Sequence, residues 1–580
     1  MGKLLGGHAV IRALKEEGVP FVVGLPGGSM FEIVAALADT PSVRPILVRH
    51  ERVAADVADG YARVTGRPGV SASVQGPGAI NAMSGISHSF ADSVPTLHLA
   101  GQVDQKLIGR QVYQENKLIE MSQGITKWNT SVNRVDRIAE IFRRAFTQLR
   151  SGRPRPVLIE LPMNVMMDSM DEEAFKYTPV SDTPKLRSRG EAAAIERAAD
   201  LLVNAERPLI YAGAGVLFSE GSDELKQVAE LLWAPVTTTL NGKSAFPEDH
   251  PLALGIGGFP QSQYGTKQAA FFTRNADVVL GLGNSFKPQA TRGQGKPAGV
   301  KLIHVDVDPM EIHKEQFADV AIVGDAKLVL SDLLEVLKER IKKSRRGERS
   351  HVTAEIKKLR DEWMNDWMPV LTSNESPINP YRVVWEFMNL TDPAQTIVTH
   401  DSGSTRGYAA HHYVATAPRG FLGAGGQSNL GFSLGTAMGA KLAAPDKLVV
   451  NFMGDGAMGF TGMDIESAAR EEIPILTILL NNGSYSSWIP YQKKFGDKEK
   501  VWMFFGGKYA EVAHALGAYS ERVEDPREIS SALERGIKET REGRPALIEV
   551  ITERVVMPPV LPNPLEKPDG PWGLPTGLES

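Results

Sequence analysis

The sequence predicts an α/β protein made of three doubly wound parallel-sheet domains with a Pro/Gly-rich C-terminal flap. Three observations predict it. Short apolar runs alternate with helical patterns along almost the whole chain, as parallel sheets covered on both faces require. The alternation restarts twice after polar or charged stretches. A chain of 580 residues also exceeds what a single core accommodates.

The first set of strands reads "FVVGLPGG", "PILVRHE", "VSASVQGPG", "TLHLAGQ" and "PVLIELP", each short, β-branched and closed by Gly, Pro or a charge. Between the second and third lies a helix on which Val53, Ala54, Val57, Ala58, Tyr61 and Ala62 recur at helical spacing. After "SDTPKLRSRGE" come "PLIYAGAG", "APVTTTL", "ADVVLGLG" and "VKLIHVDVDP". After the charged region ending near Trp367 come "QTIVTHDSGS", "KLVVNFMGDG", "PILTILLNNG" and "PALIEVIT". The expected domains are 1–185, 186–367 and 368–556. Residues 557–580, rich in Pro and Gly, form a tail or a lid whose Val, Leu and Trp residues favour docking.

Composition narrows the function. Hydrophobic residues at 42% and charged residues at 23% are those of a soluble globular protein. A net charge of -5 gives no electrostatic case for nucleic acid, and "KERIKKSRRGER" reads as a solvated helix end and linker. The absence of cysteine excludes disulfides, thiolate nucleophiles and Cys-ligated metals. With neither a signal-peptide core nor an apolar run that would span a bilayer, no membrane association is expected and the cytoplasm is the expected location.

In open parallel sheets, ligands lie beyond the carboxyl ends of the strands. "NFMGDGAMGF" places Asp455 between Gly454 and Gly456 at one such end, and "PILTILLNNGSY" places Asn482 at the next. Asp455 offers hard oxygen, Asn482 a neutral carbonyl oxygen, and a backbone carbonyl just beyond adds a third donor. Mg²⁺ takes such ligands and usually shares them with a phosphate. Thr461 and Asp464 read as a capping pattern for the following helix, and the N–H groups after Gly456 are placed to face an anion.

The G-D-G…N-N pair resembles the thiamin-diphosphate (ThDP) signature. Together with "GLPGGSMFEIVAAL", "HERVAADVADGYARVTGRPGV", "QGPGAINAMSGI", "PVTTTLNGKSAFPEDHPLALG" and "GGQSNLGFSLGTAMGAKLAAPDKLVV", it makes nearly the whole chain similar to acetolactate synthase and its relatives, oxalyl-CoA decarboxylase and 2-hydroxyacyl-CoA lyase. The resemblance implies a pyrimidine-binding, a middle and a diphosphate-binding domain. It also implies a homodimer or homotetramer, because each cofactor of the family lies between two subunits.

Residue by residue, the resemblance assigns Glu51 to N1′ of the aminopyrimidine, where a carboxyl favours the imino tautomer that deprotonates C2. Such a glutamate needs a dry site. Leu430, in "SNLGF", matches the residue that props the cofactor into its V shape. Gly403, Ser404 and Thr405 match a loop touching the diphosphate. Gly454, Asp455, Gly456 and Ala457 match the signature, with Asp455, Asn482 and Ser484 as Mg²⁺ ligands. Gln114, with Tyr113 beside it, matches a glutamine near the reacting centre. Gly28 and Val74 stand where some decarboxylases of the family have Ser or His, which moves the chain toward the synthase and CoA-lyase types.

The family chemistry is attack of C2 on a carbonyl, followed by cleavage of the neighbouring C–C bond into an electron sink. Acetolactate synthases carry an Arg-Phe-Asp-Asp-Arg-like segment that helps hold FAD. Here Asn284, Ser285, Phe286 and Lys287 do not reproduce it, so FAD is the less expected nucleotide. Asp306 and Asp308, in "LIHVDVDP", end a nucleotide-binding-like strand that in CoA-dependent relatives binds ADP. The loop "GSYSSWIPYQKKFGDKEK", with Trp488, Lys493 and Lys494, suits a large anionic substrate such as an acyl-CoA. A flap carrying Trp572 and Leu574 would exclude water. The leading expectation is a 2-hydroxyacyl-CoA lyase releasing formyl-CoA and an aldehyde or ketone. The alternatives are an acetolactate-synthase-like carboligase of 2-oxo acids and a catalytically silent ThDP-fold scaffold.

Overall fold

The computed structural model describes residues 2–259, 262, 264–288, 295–343, 349–423, 425–486, 489, 504–554 and 556. Three six-stranded sheets organise it, and every pairing within them is parallel.

The N-terminal sheet runs Arg44–Leu47, Phe21–Leu25, Gly69–Ser73, Thr96–Gln102, Val157–Pro162 and Trp128–Ser131. The C-terminal sheet runs Phe421–Gly423, Thr396–His400, Leu448–Gly454, Leu476–Asn481, Ala546–Ile551 and Tyr519–Val523. The two sheets have the same strand order, so the first and third domains are topological copies. The middle sheet differs: Ala253–Ile256, Val236–Thr238, Pro208–Ala212, Val278–Leu282, Lys301–Asp306 and Val320–Val323. Its direction reverses beside Pro208–Ala212, the strand that runs into Gly213-Ala214-Gly215.

The expected strands are present, and the structure adds others. Trp128–Ser131, "WNTS", and Tyr519–Val523, "YSERV", are half-exposed edge strands whose polar residues hide the pattern. Val320–Val323 is an edge strand, and Lys3–Leu5 pairs antiparallel with Ser169–Asp171 in a small separate ladder. The helix Ser350–Leu371 runs across residue 367, and its Trp363, Trp367 and Leu371 pack into the C-terminal core.

The first and third domains meet along two helices, Glu51–Thr65 and Phe432–Ala443. Small residues let the backbones touch. A Cβ on Gly60 would lie 2.1 Å from the Thr436 carbonyl oxygen, and one on Gly439 would lie 2.0 Å from that of Val57. The first helix is buried on almost every side, so its charged residues are buried too. Arg63 pairs with Asp59 at 2.5 Å and with Asp92 at 3.1 Å, and Arg52 lies 3.4 Å from Asp56. The apolar residues at helical spacing pack into the core shared with the third domain, while Asp59 and Arg63 are met by Ser89 (2.8 Å) and Asp92 (3.1 Å) of the Pro77–Asp92 helix.

Candidate active site

The C-terminal sheet reverses direction between Thr396–His400 and Leu448–Gly454, and the crevice beyond a reversal is where such sheets bind ligands. Both strands end in the residues the sequence singles out. After the first, Asp401 is fully buried and works as a clamp. Its carboxylate accepts from the Ser402 N–H (2.8 Å), the Gly431 N–H (2.9 Å), and the N–H and hydroxyl of Ser433 (3.0 and 2.5 Å). These bonds tie the Gly403–Thr405 loop to the segment holding Leu430. Gly403 has φ 74° and caps the Ser404–His412 helix, with open space where its side chain would be. Thr405 is buried, its hydroxyl 3.4 Å from where a Cβ on Gly454 would stand.

Asp455 opens the Asp455–Thr461 helix and is 3% exposed. One oxygen accepts from the Gly456 N–H (2.9 Å), the other from the Gly483 N–H (2.7 Å). Burial pushes its pKa up to about 6, opposed by these backbone donors. The Gly483 bond joins the two strand ends. Asn482 has its amide oxygen at the Ser484 N–H and hydroxyl (3.0 and 2.9 Å), whereas Asn481 is structural, its amide donating to Glu549 at 2.7 Å. Ala457 is buried one residue beyond Gly456, and Tyr485 and Phe505 roof Gly456.

The donor set fits a hard divalent cation. It holds one carboxylate, one amide oxygen and the Ser484 carbonyl, leaving positions for phosphate oxygens. Among the described residues no group of three or more His, Cys, Asp or Glu side chains is placed to hold a metal, so a phosphate-sharing site suits the residues better than an all-protein cage. The expected Thr461/Asp464 capping box is absent. Thr461 donates to the Gly431 carbonyl (2.8 Å), and Asp464 accepts from the Arg49 N–H (2.8 Å) and from Ser467. The chain passes through a short 3₁₀ segment, Gly462–Asp464, before the next helix. Both residues tie loops together instead of capping.

The other cluster lies on the N-terminal domain. Glu51 is 6% exposed in the first turn of its helix, and its carboxylate accepts from Asn81 at 3.1 Å. Beside it, Gly76 turns with φ 63° into the Pro77–Asp92 helix, and its missing Cβ leaves room for the Gln114 carbonyl, 2.5 Å from that position. The "YQEN" loop thus rests on the "QGPG" turn. Gln114 itself has φ 61°, and Tyr113 is 84% exposed. Gly28 borders open space, and Val74 is buried against Gly27 and Gly78. Leu430 is half-buried against the core shared by the two domains. Among the described residues, no hydrogen bond or ion pair joins Glu51 to Asp455, Asn482 or Leu430.

Asp306, 8% exposed, ends its strand in a cavity where the middle domain meets the other two, and burial pushes its pKa up to about 6. Asp308 instead caps the next turn at the Met310 N–H and pairs with Arg153 at 3.3 Å. In the departing segment, Phe286 is buried in the middle-domain core and Lys287 donates to the Ala91 carbonyl (2.9 Å). The basic loop with Trp488, Lys493 and Lys494, and the flap with Trp572 and Leu574, lie outside the described residues. Sequence reasoning missed Asn81 and Asp401. Asp401 stands two residues before Gly403 at a strand end, a position that could have flagged it; Asn81, a neutral amide inside a helix, has no such signal.

Three family models match the chain: the N-terminal TPP-binding domain of thiamine pyrophosphate enzymes over residues 5–121, their central domain over 195–333, and their C-terminal TPP-binding domain over 401–550. The probable acetolactate synthase large subunit of Methanocaldococcus jannaschii is 36% identical over 96% of this chain and 93% of its own. That of Methanococcus aeolicus is 35% identical over 92% and 90%. The acetolactate synthase isozyme 3 large subunit of Escherichia coli K12 is 32% identical over 95% and 96%.

Proposed function

Because this chain belongs to the thiamine pyrophosphate enzyme family, as a ThDP-dependent enzyme that forms carbon–carbon bonds, we propose that it cleaves or makes 2-hydroxyacyl-CoA thioesters. In the cleavage direction, the bond between the carbonyl and the hydroxyl-bearing carbon breaks. The hydroxyl carbon leaves as an aldehyde or ketone, and the thioester carbon takes a proton and leaves as formyl-CoA. The observation that carries the CoA-lyase reading over a synthase is the segment Asn284–Lys287, which lacks the synthase's flavin-holding pattern, with Phe286 buried in the middle-domain core and Lys287 bonded to the Ala91 carbonyl of the first domain.

Bound ThDP supplies a nucleophilic carbon and an electron sink for this chemistry. In this reading, Asp455, Asn482 and the Ser484 carbonyl hold Mg²⁺ and, through it, the diphosphate. Gly403, Ser404 and Thr405 offer N–H and hydroxyl donors at a helix N-terminus, supported by the Asp401 clamp. Glu51, oriented by Asn81, holds a proton at the pyrimidine ring nitrogen. Leu430 would pack against the bound cofactor, and Gln114 and Tyr113 would meet the substrate. A homodimer or homotetramer, with each site between two subunits, belongs to this reading as the family resemblance implies. ADP is the nucleotide proposed beside Asp306.

A second reading, a carboligase of 2-oxo acids, is favoured by the names of the relatives. Mass spectrometry of products separates the two. The Mg²⁺/ThDP-loaded protein is incubated with pyruvate in one tube and 2-hydroxyisobutyryl-CoA in another. Formyl-CoA with acetone from the second tube alone supports the lyase. Acetolactate from the first alone replaces it with the carboligase.

A further inference from the structure

We propose that Arg406 is the anion anchor of a ligand site in the cavity where the middle domain meets the other two, taking a carboxylate or a phosphate into its guanidinium fork. The cavity is lined by the strand ends at Gly213–Gly215 and Asp306 and by Arg406, Asn241, Tyr264 and Gly425–Gly426, with Asn241 against Gly425 and Tyr264 against Gly407. Among the cations around it, Lys185 pairs with Glu220 (2.6 Å), and Arg150, which also lacks an acid among the described residues and has an unmet Nη1–H, is only half-buried and donates to the Thr183 carbonyl (2.9 Å). Arg153 is neutralised by Glu311 and Asp308, and Arg187 by Glu220 (2.9 Å) and Asp325 (3.6 Å). Lys287 donates to a backbone carbonyl and feels the charge of Asp92.

Arg406 is 7% exposed and has no carboxylate at ion-pair distance among the described residues. It donates to the Ser428 hydroxyl, while its Nε–H is buried with no acceptor. Ser428 has φ 56° and is also bonded to the Ser402 hydroxyl at 2.7 Å, so the residue meeting the guanidinium is itself held in place. Nearby, the amide oxygen of Asn241 is likewise buried without a donor.

A guanidinium cannot shed its proton, and holding one out of water without a counter-charge costs several kcal/mol. An unmet N–H and an unmet acceptor lining the same cavity match a ligand carrying both an anionic group and a hydrogen-bond donor. The fork geometry suits a group with two oxygens. Arg406 stands in the first turn of the Ser404–His412 helix that Gly403 caps, so a group anchored there would lie beside Gly403–Thr405. Two sources supply this chemistry: the substrate's own carboxylate, or a phosphate of a nucleotide lying in the cavity.

The test compares wild type, Arg406→Gln and Arg406→Lys with Mg²⁺ and ThDP saturating. ADP affinity is measured by calorimetry, and kcat and KM with pyruvate and with 2-hydroxyisobutyryl-CoA. Losing a charge-assisted pair corresponds to about ten- to a hundredfold. A rise of that size in the Kd of ADP, partly restored by Lys, identifies the phosphate. A rise of that size in the KM for pyruvate, with kcat little changed and ADP affinity intact, identifies the carboxylate. Unchanged ADP affinity and KM overturn the proposal, and so does a loss confined to ThDP affinity, which would give Arg406 to the cofactor. The carboxylate arm rests on the 2-oxo-acid reading alone, because a 2-hydroxyacyl-CoA has a thioester in place of the carboxylate; the ADP arm rests on neither reaction, so inactivity toward both donors leaves its outcome unaffected. If Arg406→Gln fails to fold, wild type alone decides the phosphate arm: adenosine binding as tightly as ADP overturns it.

Discussion

Adding one methyl group at Gly439 should loosen the joint between the two cofactor-binding domains. The Cβ of Gly439→Ala would stand 2.0 Å from the Val57 carbonyl oxygen and 2.7 Å from the Tyr61 nitrogen. Both obstacles are backbone atoms of a helix, so no side-chain rotation relieves them. Ordinary contact begins at 3.4 Å, so the helices must part by more than about 1 Å where they cross. Overpacking of this kind costs about 1–3 kcal/mol, and the rigid neighbours put the expectation near 3 kcal/mol, roughly a hundredfold in the folding equilibrium. The shift would also move Glu51, at the start of one helix, relative to Leu430, just ahead of the other, and weaken ThDP binding. Urea unfolding followed by circular dichroism gives the stability, and fluorescence titration gives the ThDP affinity. Gly124→Ala, where a Cβ meets nothing within 4 Å, is the control and should stay within about 0.5 kcal/mol of wild type. If Gly439→Ala unfolds at the control's urea concentration, the close-packed joint is not what holds these domains in register.

Replacing Glu51 with Gln should lower turnover by about 10² or more while ThDP affinity stays within a few-fold, because the amide keeps the shape but not the proton; steady-state kinetics read this. Asp455→Ala should abolish Mg²⁺-dependent ThDP retention, seen as loss of cofactor on gel filtration. His98 sits between the hydroxyls of Ser71 and Ser73 at 2.9 Å each, and burial pushes its pKa down to about 3. Above pH 6.5 the ring is neutral in both states and its stabilising difference is fully present. As the pH falls from 6.5 toward 3, the unfolded chain takes a proton that the folded protein refuses, and stability drops by about 1.4 kcal/mol per pH unit. Urea titrations between pH 6 and 5 should therefore show a slope about one proton smaller in His98→Asn than in wild type.

The sheets and the strand ends at Asp455 and Asn482 were legible because their signals are local. A β-branched run ending in Gly-Asp-Gly or Asn-Asn-Gly announces both the strand and what lies beyond it. The polar edge strands were not, since an exposed strand has no reason to alternate in hydrophobicity. Nor was the burial of Arg52, Asp56, Asp59 and Arg63. A charged residue at helical spacing reads as a solvated face unless the covering elements are known, here the Pro77–Asp92 helix of the same domain and Phe432–Ala443 of the third. Asp464 shows the same limit. Its spacing from Thr461 suggests a local cap, whereas its partner is the Arg49 backbone of the other domain. Arg406 was invisible for a related reason: what sets it apart is burial without a nearby acid, and only a folded structure shows that.

The central claim is that Glu51 and the Asp455 cluster together make bound ThDP reactive. Exchange of the cofactor's C2 proton for deuterium, followed by NMR after rapid acid quench, tests it without reference to any substrate. Wild-type protein with Mg²⁺ should exchange that proton far faster than free ThDP, and Glu51→Gln should lose about 10² or more of the rate. Equal exchange in wild type, Glu51→Gln and free cofactor would contradict the account.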